Sequence, residues 1–295
     1  MRKASPSAAA RQNAPNADAP FVLIEPLRRT APLIFASPHS GRRYPPEMLA
    51  AAQVGLDSLR RGEDAFVDEL FAPAARHGAL VLCGAVSRSF IDLNRDPYEL
   101  DPEMFADALP AHANTSSSRV QAGLGAIPKI AGDGKPIYRR KLRLDEAETR
   151  IRDVYIPYHA QLTALIEDMR EAFGCAVLLD CHSMPSCARG AHAPDIVLGD
   201  RFGAACHPSV IALAEATLRK MGYHVARNAP FAGGHVTQTY GRPGAHVHAL
   251  QIELNRGLYL DERTLERGHG LPRVRADMGR LAEVLAAAEL HRSLA

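Results

Sequence analysis

The segment LLDCHSMP, residues 178–185, brings four chemically capable side chains together at the end of an apolar run. The four are Asp180, Cys181, His182 and Ser183. An apolar run of this length is typical of a buried strand, and polar residues at strand ends often form the sites of α/β proteins. The segment suits a metal ligand, a cysteine or serine nucleophile with its histidine, or a buried polar turn.

The metal interpretation depends on partners from other segments. His39 ends an earlier apolar run, as His182 ends the later one. Neutral imidazole and carboxylate are the usual ligands of catalytic zinc, with water in the open position. An acidic ligand is available from Asp64, which opens a predicted helix, or from its neighbours Glu63 and Asp68. The alternatives are a hydrogen-bonded strand-end histidine for His182 and a helix N-cap for Asp64.

A nucleophile in this segment has less support. Cys181 directly precedes His182, so on a strand the two side chains face opposite ways. Ser183 lacks the G-x-S-x-G elbow of serine hydrolases. If the strand pleat holds through residue 182, the same alternation puts Asp180 on the face of His182, where a carboxylate can fix the imidazole tautomer. We therefore predict that Cys181 is a small core residue on the far face.

Arginine, asparagine and aspartate cluster in SRSFIDLNRDP, residues 87–97, after a predicted strand. The guanidinium groups of Arg88 and Arg95 can bind carboxylates through paired hydrogen bonds, and Asn94 beside them adds direction. This composition suits a substrate with free carboxylates. The alternative is a surface turn with solvated ion pairs between these arginines and Asp92.

Glu253 lies within an apolar strand context in QIELNR, residues 251–256. A buried carboxylate is costly unless it is paired or functional. Near a metal-bound water, a carboxylate is the usual general base. The alternative is a structural ion pair with Arg256 or another core partner.

A glycine-rich segment, residues 228–250, precedes that strand. Glycine lets the backbone approach a ligand closely, so Gly234 is a candidate substrate-binding residue. His248 is a second candidate, although its spacing of five from Glu253 places the two on opposite strand faces unless a bulge intervenes. The dinucleotide-binding pattern is incomplete in GLGAIP, residues 123–128, and the phosphate-loop pattern is incomplete in DGK, residues 133–135.

Alternating apolar runs and amphipathic segments predict the fold. Strands are predicted at 31–41, 79–86, 175–185, 195–200 and 246–262, and helices at 63–78, 145–174 (interrupted near Pro157), 209–222 and 262–289. Strands that alternate with helices favour an α/β fold with a mostly parallel or mixed sheet and helices on both faces. We predict one domain over residues 21–295, with a flap loop near 107–137.

Composition narrows the functional class. The 295 residues carry a formal net charge of +2, which offers no electrostatic support for nucleic-acid or membrane binding. Five cysteines without CxxC spacing favour a reducing compartment, and no apolar run reaches the ~18–20 residues of a membrane span. Residues 1–20 are predicted to be a disordered tail without a signal peptide, so the predicted location is the cytoplasm.

Taken together, the clusters resemble the N-formylglutamate amidohydrolase family. The matching stretches run in order from about residue 31 to 265. They are SPHSGRRYP, EDAFVDELF, SRSFIDLNRDP, YRRKL, LLDCHSMP, IVLGDRFG, NAPFAGGHVTQTYG and HALQIELNRGLYLDE. More remotely, the family is similar to zinc carboxypeptidases and aspartoacylases, which share a carboxypeptidase-like (phosphorylase/hydrolase-like) α/β fold.

The resemblance implies a zinc-dependent hydrolase that cleaves N-formyl-L-glutamate to formate and L-glutamate, with a role in histidine degradation. It implies zinc ligands His39, His182 and an acidic residue, for which Asp64 is the first choice and Glu63 the second. The remote relatives use H-x-x-E, whereas HSGR here has Arg42 in the acidic place.

The resemblance also implies the remaining roles. Glu253 matches the catalytic carboxylate, and Arg88 would polarise the scissile carbonyl. Asn94 and Arg95 would hold a substrate carboxylate, so the expected partner is a small molecule with free carboxylates. His235 stands where the family pattern leads us to expect an aromatic residue. The alternatives are a zinc peptidase, a deacylase of another N-acyl amino acid, or a non-catalytic protein that binds a carboxylate ligand.

Overall fold

The computed structural model describes residues 11–12, 18–186, 193–287, 290–291 and 293–294. Most of the predicted disordered tail, Cys187 and the last two residues of the predicted terminal helix lie outside these ranges. The four described cysteines, which are Cys83, Cys175, Cys181 and Cys206, are buried free thiols. Among the described residues, no helix combines the length and the apolarity needed to cross a membrane.

Ten strands are found in the described part of the chain. They are β1 Arg11–Gln12, β2 Phe21–Glu25, β3 Leu33–Ser37, β4 Leu80–Gly84, β5 Ala176–Met184, β6 Ile196–Gly199, β7 Val225–Arg227, β8 Val247–Asn255, β9 Leu260–Asp261 and β10 Glu266–Arg267. Eight of them form one sheet in the order β1-β2-β4-β3-β5-β8-β6-β7, and β9 pairs with β10.

The large sheet is mixed, as the sequence predicts. Its centre is parallel, because β4, β3, β5 and β8 all run the same way. The β1–β2, β2–β4 and β6–β8 pairs are antiparallel. Parallel neighbours end at the same edge of a sheet, so the polar residues that follow β3, β5 and β8 meet there.

The helices cover both faces of the sheet. They are α1 Pro46–Ala51, α2 Leu56–Arg60, α3 Val67–Phe71, α4 Ser118–Gln121, α5 Leu144–Arg150, α6 Ile156–Phe173, α7 Pro208–Lys220, α8 His235–Tyr240 and α9 Leu271–Leu285. Short 3-10 turns span Ala72–His77, Pro102–Met104, Pro243–Ala245 and Arg256–Leu258.

Strand alternation divides the core into two layers. In β5, Val177, Leu179 and Cys181 pack into the layer that contains α3, α7 and α9. Ala176 and Leu178 face the other layer, against α6. The prediction that Cys181 lies on the far face from His182 is therefore confirmed, and the pleat of β5 continues through the candidate site.

The helix predicted over residues 63–78 differs in detail from the structure. The helix predicted from residue 63 begins only at α3, because Phe66 adopts a left-handed φ of 63° just before it. After Phe71 it tightens into a 3-10 turn that contains Pro73, whose ring nitrogen has no hydrogen to donate to an α-helical bond. Consequently Asp64 lies before the helix and does not cap it.

The interruption predicted near Pro157 is confirmed. Between α5 and α6 the backbone forms a π-helical turn, Ile151–Tyr155. Pro157 lies at the first turn of α6, where its missing N–H is tolerated.

The start predicted for the terminal helix, residue 262, was wrong. The β9–β10 hairpin occupies residues 260–267, and α9 begins at Leu271. Pro272 lies in the first turn of α9, a position that proline favours because its φ angle already suits the helix. The amphipathic pattern identified the helix but not its beginning.

Candidate active site and metal centre

A cavity of about 490 Å³ lies at the carboxyl end of the parallel strands. Eight predicted site residues line it: His39, Asp64, Arg88, Asn94, Arg95, His182, Gly234 and Glu253. These residues come from segments far apart in sequence, so the fold collects nearly all of the predicted clusters in one place. Glu63 and His248 do not line it.

Three parallel strands position the centre of this cavity. His39 follows β3 by two residues, and its carbonyl oxygen accepts a hydrogen bond from the Asp64 backbone N–H at 3.0 Å. His182 lies in β5, paired in register with Glu253 of β8. Register pairs on adjacent strands place their side chains on the same face, so His182 and Glu253 both point towards the cavity.

His39, Asp64 and His182 form a compact buried group in the described part of the chain. One potential ligand atom from each lies within 4.8 Å of the other two. Asp64 Oδ2 is 3.3 Å from His39 Nδ1 and 3.0 Å from His182 Nδ1. All three side chains are nearly inaccessible to solvent. Two imidazoles and one carboxylate match the ligand set of a catalytic zinc site that keeps a position open.

The outward nitrogens of both histidines are held by further carboxylates. His39 Nε2 is 2.7 Å from Asp92 Oδ1, and His182 Nε2 is 2.8 Å from Asp180 Oδ1. A histidine that donates its Nε2–H to a carboxylate carries a lone pair on Nδ1, which then faces the centre of the group. This arrangement fixes both tautomers in the form that binds a metal.

An unpaired buried atom supports the same conclusion. His39 Nδ1 is buried and has no hydrogen-bond partner among the described residues, although it lies 3.3 Å from Asp64. A buried nitrogen without a partner is costly, and a metal ion would satisfy it. The residues present therefore fit a divalent cation.

Asp64 and Asp92 remain ionised. Burial alone would raise the pKa of Asp64, but the neighbouring imidazoles of His182 and His39 hold it well below its usual range. The pKa of Asp92 is also held low, against the effect of burial, by Arg88, His39 and Arg95. Ionised oxygens are available as acceptors and as a metal ligand.

Arg256 anchors Asp64. Its Nη2 lies 3.1 Å from Asp64 Oδ1 and donates to the Glu63 carbonyl oxygen at 2.7 Å. Its Nε donates to Ser183 Oγ at 3.1 Å. The sequence suggested Arg256 as an ion-pair partner of Glu253, whereas the structure pairs it with Asp64.

Glu63, the second choice for the acidic ligand, has a different environment. Its carboxylate accepts a hydrogen bond from the Tyr44 hydroxyl at 2.5 Å and lies 3.7 Å from Arg60 Nε. Burial raises its pKa. Consecutive side chains diverge here, so Asp64 faces the two histidines while Glu63 faces Tyr44.

Glu253 lies beside His182, one of the three candidate metal ligands, and its pKa is raised. Burial raises the pKa of Glu253 to about 7; the Asp64 and Asp180 carboxylates add to this effect and His182 opposes it. Gln251 donates a hydrogen bond to Glu253 Oε1 at 3.0 Å. A carboxylate with a pKa near neutrality can both accept and return a proton, which is the property of a general acid–base.

Arg88 and Arg95 flank Asp92 on the cavity wall. Arg88 Nη2 donates to Asp92 Oδ2 at 2.6 Å, and the side chain stays 23% exposed. Arg95 Nη2 lies 4.0 Å from the same oxygen. Its Nε and Nη1 donate to the carbonyl oxygens of Leu124 and Asn94. Both guanidiniums are thus oriented by the protein at the cavity surface.

Asn94 and Gly234, which both line the cavity, form a close contact. The Asn94 side-chain oxygen accepts a hydrogen bond from the Val236 backbone N–H at 2.7 Å, and its Nδ2 lies 3.4 Å from Asp180 Oδ2. A Cβ atom at Gly234 would lie 2.6 Å from Asn94 Nδ2, so only glycine fits there. The predicted close approach at Gly234 is to Asn94 within the protein.

His248 is separated from the other predicted site residues. It lies near the amino end of β8, where its Nδ1 accepts a hydrogen bond from the His207 backbone N–H at 3.3 Å. The β5–β8 register is continuous, so no bulge reverses the orientation of His248 relative to Glu253. The structure therefore does not bring His248 to the cavity.

Sequence reasoning assigned no catalytic or binding role to several residues that line the cavity. They are Arg61, Asp92, Arg119, Gln251 and Arg256. Asp92, Gln251 and Arg256 each lie within three residues of a predicted site residue, and this proximity was a usable signal. Arg61 and Arg119 lie in segments without a recognisable motif, and only the chain path brings them here.

The comparisons with known proteins decide the family. The model of the N-formylglutamate amidohydrolase family matches residues 31–260. This chain belongs to the N-formylglutamate amidohydrolase family. The resemblance carried by the ordered sequence motifs is thereby confirmed, and the protein is an amidohydrolase.

Individual relatives of the N-formylglutamate amidohydrolase family agree. N-formylglutamate deformylase of Pseudomonas aeruginosa is 33% identical over 246 residues, covering 80% of this chain and 85% of the relative. The enzyme of the same name from Pseudomonas putida is 32% identical over 244 residues, covering 78% and 82%.

Solved structures show the same relationship. The crystal structure of N-formylglutamate amidohydrolase from Ralstonia eutropha matches with a TM-score of 0.86 and 36% identity, over 93% of this chain and 99% of that one. A protein of Agrobacterium tumefaciens, 17% identical over 94% of each chain, matches with a TM-score of 0.51 and shares the fold alone.

Proposed function

We propose that this protein hydrolyses N-formyl-L-glutamate to formate and L-glutamate, and that the reaction depends on a divalent metal ion, zinc in the first instance. The observation that carries the proposal is the group of His39, Asp64 and His182 beside Glu253 in a cavity flanked by arginines. The names of the relatives supply the substrate.

His39, Asp64 and His182 would hold the metal. Each offers one ligand atom to the same point, and Asp92 and Asp180 orient the two imidazoles from behind. When bound there, zinc would activate a water molecule at neutral pH and polarise the amide carbonyl. All three residues line the cavity that would receive the substrate.

Glu253 is the proposed general base and acid. Its carboxylate is buried beside the metal group and its pKa is raised to about 7. At neutral pH a substantial fraction is ionised and can accept the proton of the attacking water. The protonated acid then delivers that proton to the departing amino group of glutamate.

Arg88 and Arg95 are the proposed ligands for developing and permanent negative charge. The Arg88 guanidinium is fixed by Asp92 and is partly exposed to the cavity, where it would stabilise the oxyanion of the tetrahedral intermediate. One such donor contributes roughly 3–4 kcal/mol. Arg95, with Asn94 beside it, would hold a carboxylate of the substrate.

The direct test is formate release from N-formyl-L-glutamate by the purified protein, with and without a chelator. Metal analysis should find about one zinc per chain, and chelation should abolish activity that zinc then restores. Full activity in metal-free protein would contradict the metal requirement. A panel of acetyl- and succinyl-glutamate and short peptides separates this substrate from those of other deacylases and of zinc peptidases.

A single substitution tests the role of Glu253. Glu253→Gln preserves shape and removes the base, so it should retain the metal and lose at least ~100-fold in kcat. The matched control is Glu171→Gln, which changes an exposed carboxylate outside the cavity. Full turnover in Glu253→Gln would remove Glu253 from the reaction.

The predicted cytoplasmic location and role in histidine degradation stay predictions.

A further inference from the structure

Arg119 is an arginine at the cavity without a counter-ion. It lies in α4, within the predicted flap segment 107–137, and its side chain lines the cavity. Among the described residues, no hydrogen bond or ion pair involves its guanidinium. An unpaired guanidinium facing a cavity has five donors available to a ligand.

The other arginines of the cavity are already engaged. Arg88 donates to Asp92 at 2.6 Å, and Arg256 Nη2 lies 3.1 Å from Asp64 Oδ1. Arg61 donates through both terminal nitrogens to the carbonyl oxygens of Glu262 and Arg263. These three guanidiniums are therefore held by protein groups, whereas that of Arg119 is not.

Arg95 and Arg119 together make one side of the cavity positive. Arg95 Nη2 lies 4.0 Å from Asp92 Oδ2 and makes no hydrogen bond with a described residue, and Glu99 is a second carboxylate that stabilises its charge. Burial lowers the pKa of Arg95; Asp92 opposes this, and the charges of Arg88 and Arg119 lower it further. Two like charges facing the same cavity repel each other until an anion enters between or beside them.

We propose that Arg119 binds the side-chain carboxylate of the substrate and makes the enzyme selective for N-formyl derivatives of dicarboxylic amino acids. This inference rests on the proposed function. It assigns a charge-recognition role to a residue for which neither the motifs nor the metal geometry provides one.

The difference in exposure between Arg95 and Arg119 assigns the two carboxylates. Arg95 is buried next to Asp92, which in turn contacts His39, whereas Arg119 is exposed at the cavity. In N-formyl-L-glutamate the α-carboxylate lies on the carbon bonded to the amide nitrogen, and the side-chain carboxylate lies two methylene groups farther away. The carboxylate nearer the scissile bond thus goes to Arg95, and the farther one to Arg119.

Arg119→Gln tests this assignment with two substrates of nearly the same shape. N-formyl-L-glutamate carries the side-chain charge and N-formyl-L-glutamine does not. We expect kcat/KM for the first to fall about 10- to 100-fold, mainly through KM, as for loss of a hydrogen-bonded ion pair. For the second it should change less than about threefold. Arg119→Lys should recover part of the preference because the charge remains.

Two variants control the experiment. Arg140→Gln removes an exposed arginine that pairs with Glu146 outside the cavity, so the discrimination ratio should not change. Arg61→Gln removes the competing guanidinium of the cavity. The proposal would be overturned if Arg119→Gln left the ratio of kcat/KM between the two substrates unchanged, with or without equal losses on both. It would also be overturned if Arg61→Gln, and not Arg119→Gln, lost activity only on N-formyl-L-glutamate.

The same experiment separates this inference from the proposed function. Wild-type hydrolysis with an unaltered ratio in Arg119→Gln would leave the function standing and the inference refuted. Without any wild-type hydrolysis, the proposed function would fail. Binding of glutarate, compared with its monoamide, would then test the anion site alone. Weaker glutarate binding in Arg119→Gln, with monoamide binding unchanged, supports the site, and equal binding contradicts it.

Discussion

The contact between Asp180 and His182 makes a quantitative prediction about metal affinity. Asp180 Oδ1 lies 2.8 Å from His182 Nε2, and Asp180 is fully buried. Asp180→Asn keeps the shape but removes the charge that supports the imidazole as a ligand. Carboxylate partners of this kind are worth about 10- to 100-fold in metal affinity. This range corresponds to about 1.4–2.7 kcal/mol at the metal.

The expected effect on stability follows from linkage. Zinc at 100 times the wild-type Kd stabilises the folded protein by about 2.7 kcal/mol. At the same zinc concentration, a tenfold weaker site gains about 1.4 kcal/mol and a 100-fold weaker site about 0.4 kcal/mol. The variant should therefore lose between half and most of its metal-induced stabilisation.

The assay is denaturant unfolding with and without zinc, together with zinc competition against a chromogenic chelator. The metal-free comparison is essential, because an amide at position 180 turns a donor towards Asn94 and Thr237, whose side chains face Asp180 Oδ2. That mismatch lowers the stability of the metal-free protein by about 1–3 kcal/mol. It cancels when only the zinc-dependent part is compared.

The matched control is Asp200→Asn. Asp200 is also buried and accepts a hydrogen bond from Asn228 at 2.8 Å, but it does not line the cavity. The zinc affinity of Asp200→Asn should equal that of the wild type. An unchanged zinc Kd in Asp180→Asn would refute the argument that this carboxylate supports a metal ligand.

Three further predictions use other contacts. Asp64→Asn should lose zinc binding and activity together, whereas Glu63→Gln should retain zinc, measured by metal analysis. Gly234→Ala should cut kcat/KM at least ~10-fold, because the new Cβ meets Asn94 at 2.6 Å. His159→Gln should reduce acid sensitivity, measured by urea unfolding between pH 7 and 4. Burial lowers the pKa of His159 to about 4, so the unfolded chain takes up a proton first as pH falls below ~6.5. The free energy of unfolding then drops by at most about 3 kcal/mol.

Controls and contrary outcomes are available for each. Gly244→Ala places a Cβ in open space and should be neutral. Zinc retained by Asp64→Asn but lost by Glu63→Gln would reverse the choice of acidic ligand. An acid dependence in His159→Gln equal to the wild type would show that this histidine does not control the transition.

The sequence by itself determined the central strands and the polar residues at their ends. Apolar runs located the strands that carry His39, His182 and Glu253, because burial on both faces of a sheet requires continuous apolar sequence. Strand alternation correctly separated Cys181 from His182, since it depends on backbone geometry alone. The motifs in order along the chain also determined the family.

Only the tertiary structure decided which of these side chains meet. Asp64 contacts His182 across 118 residues while its neighbour Glu63 turns to Tyr44, and no local pattern distinguishes the two. Arg256 pairs with Asp64, and Arg119 reaches the cavity from a segment with no regular periodicity. Local periodicity fixes which face of an element is buried, whereas contacts between distant segments depend on how the elements pack.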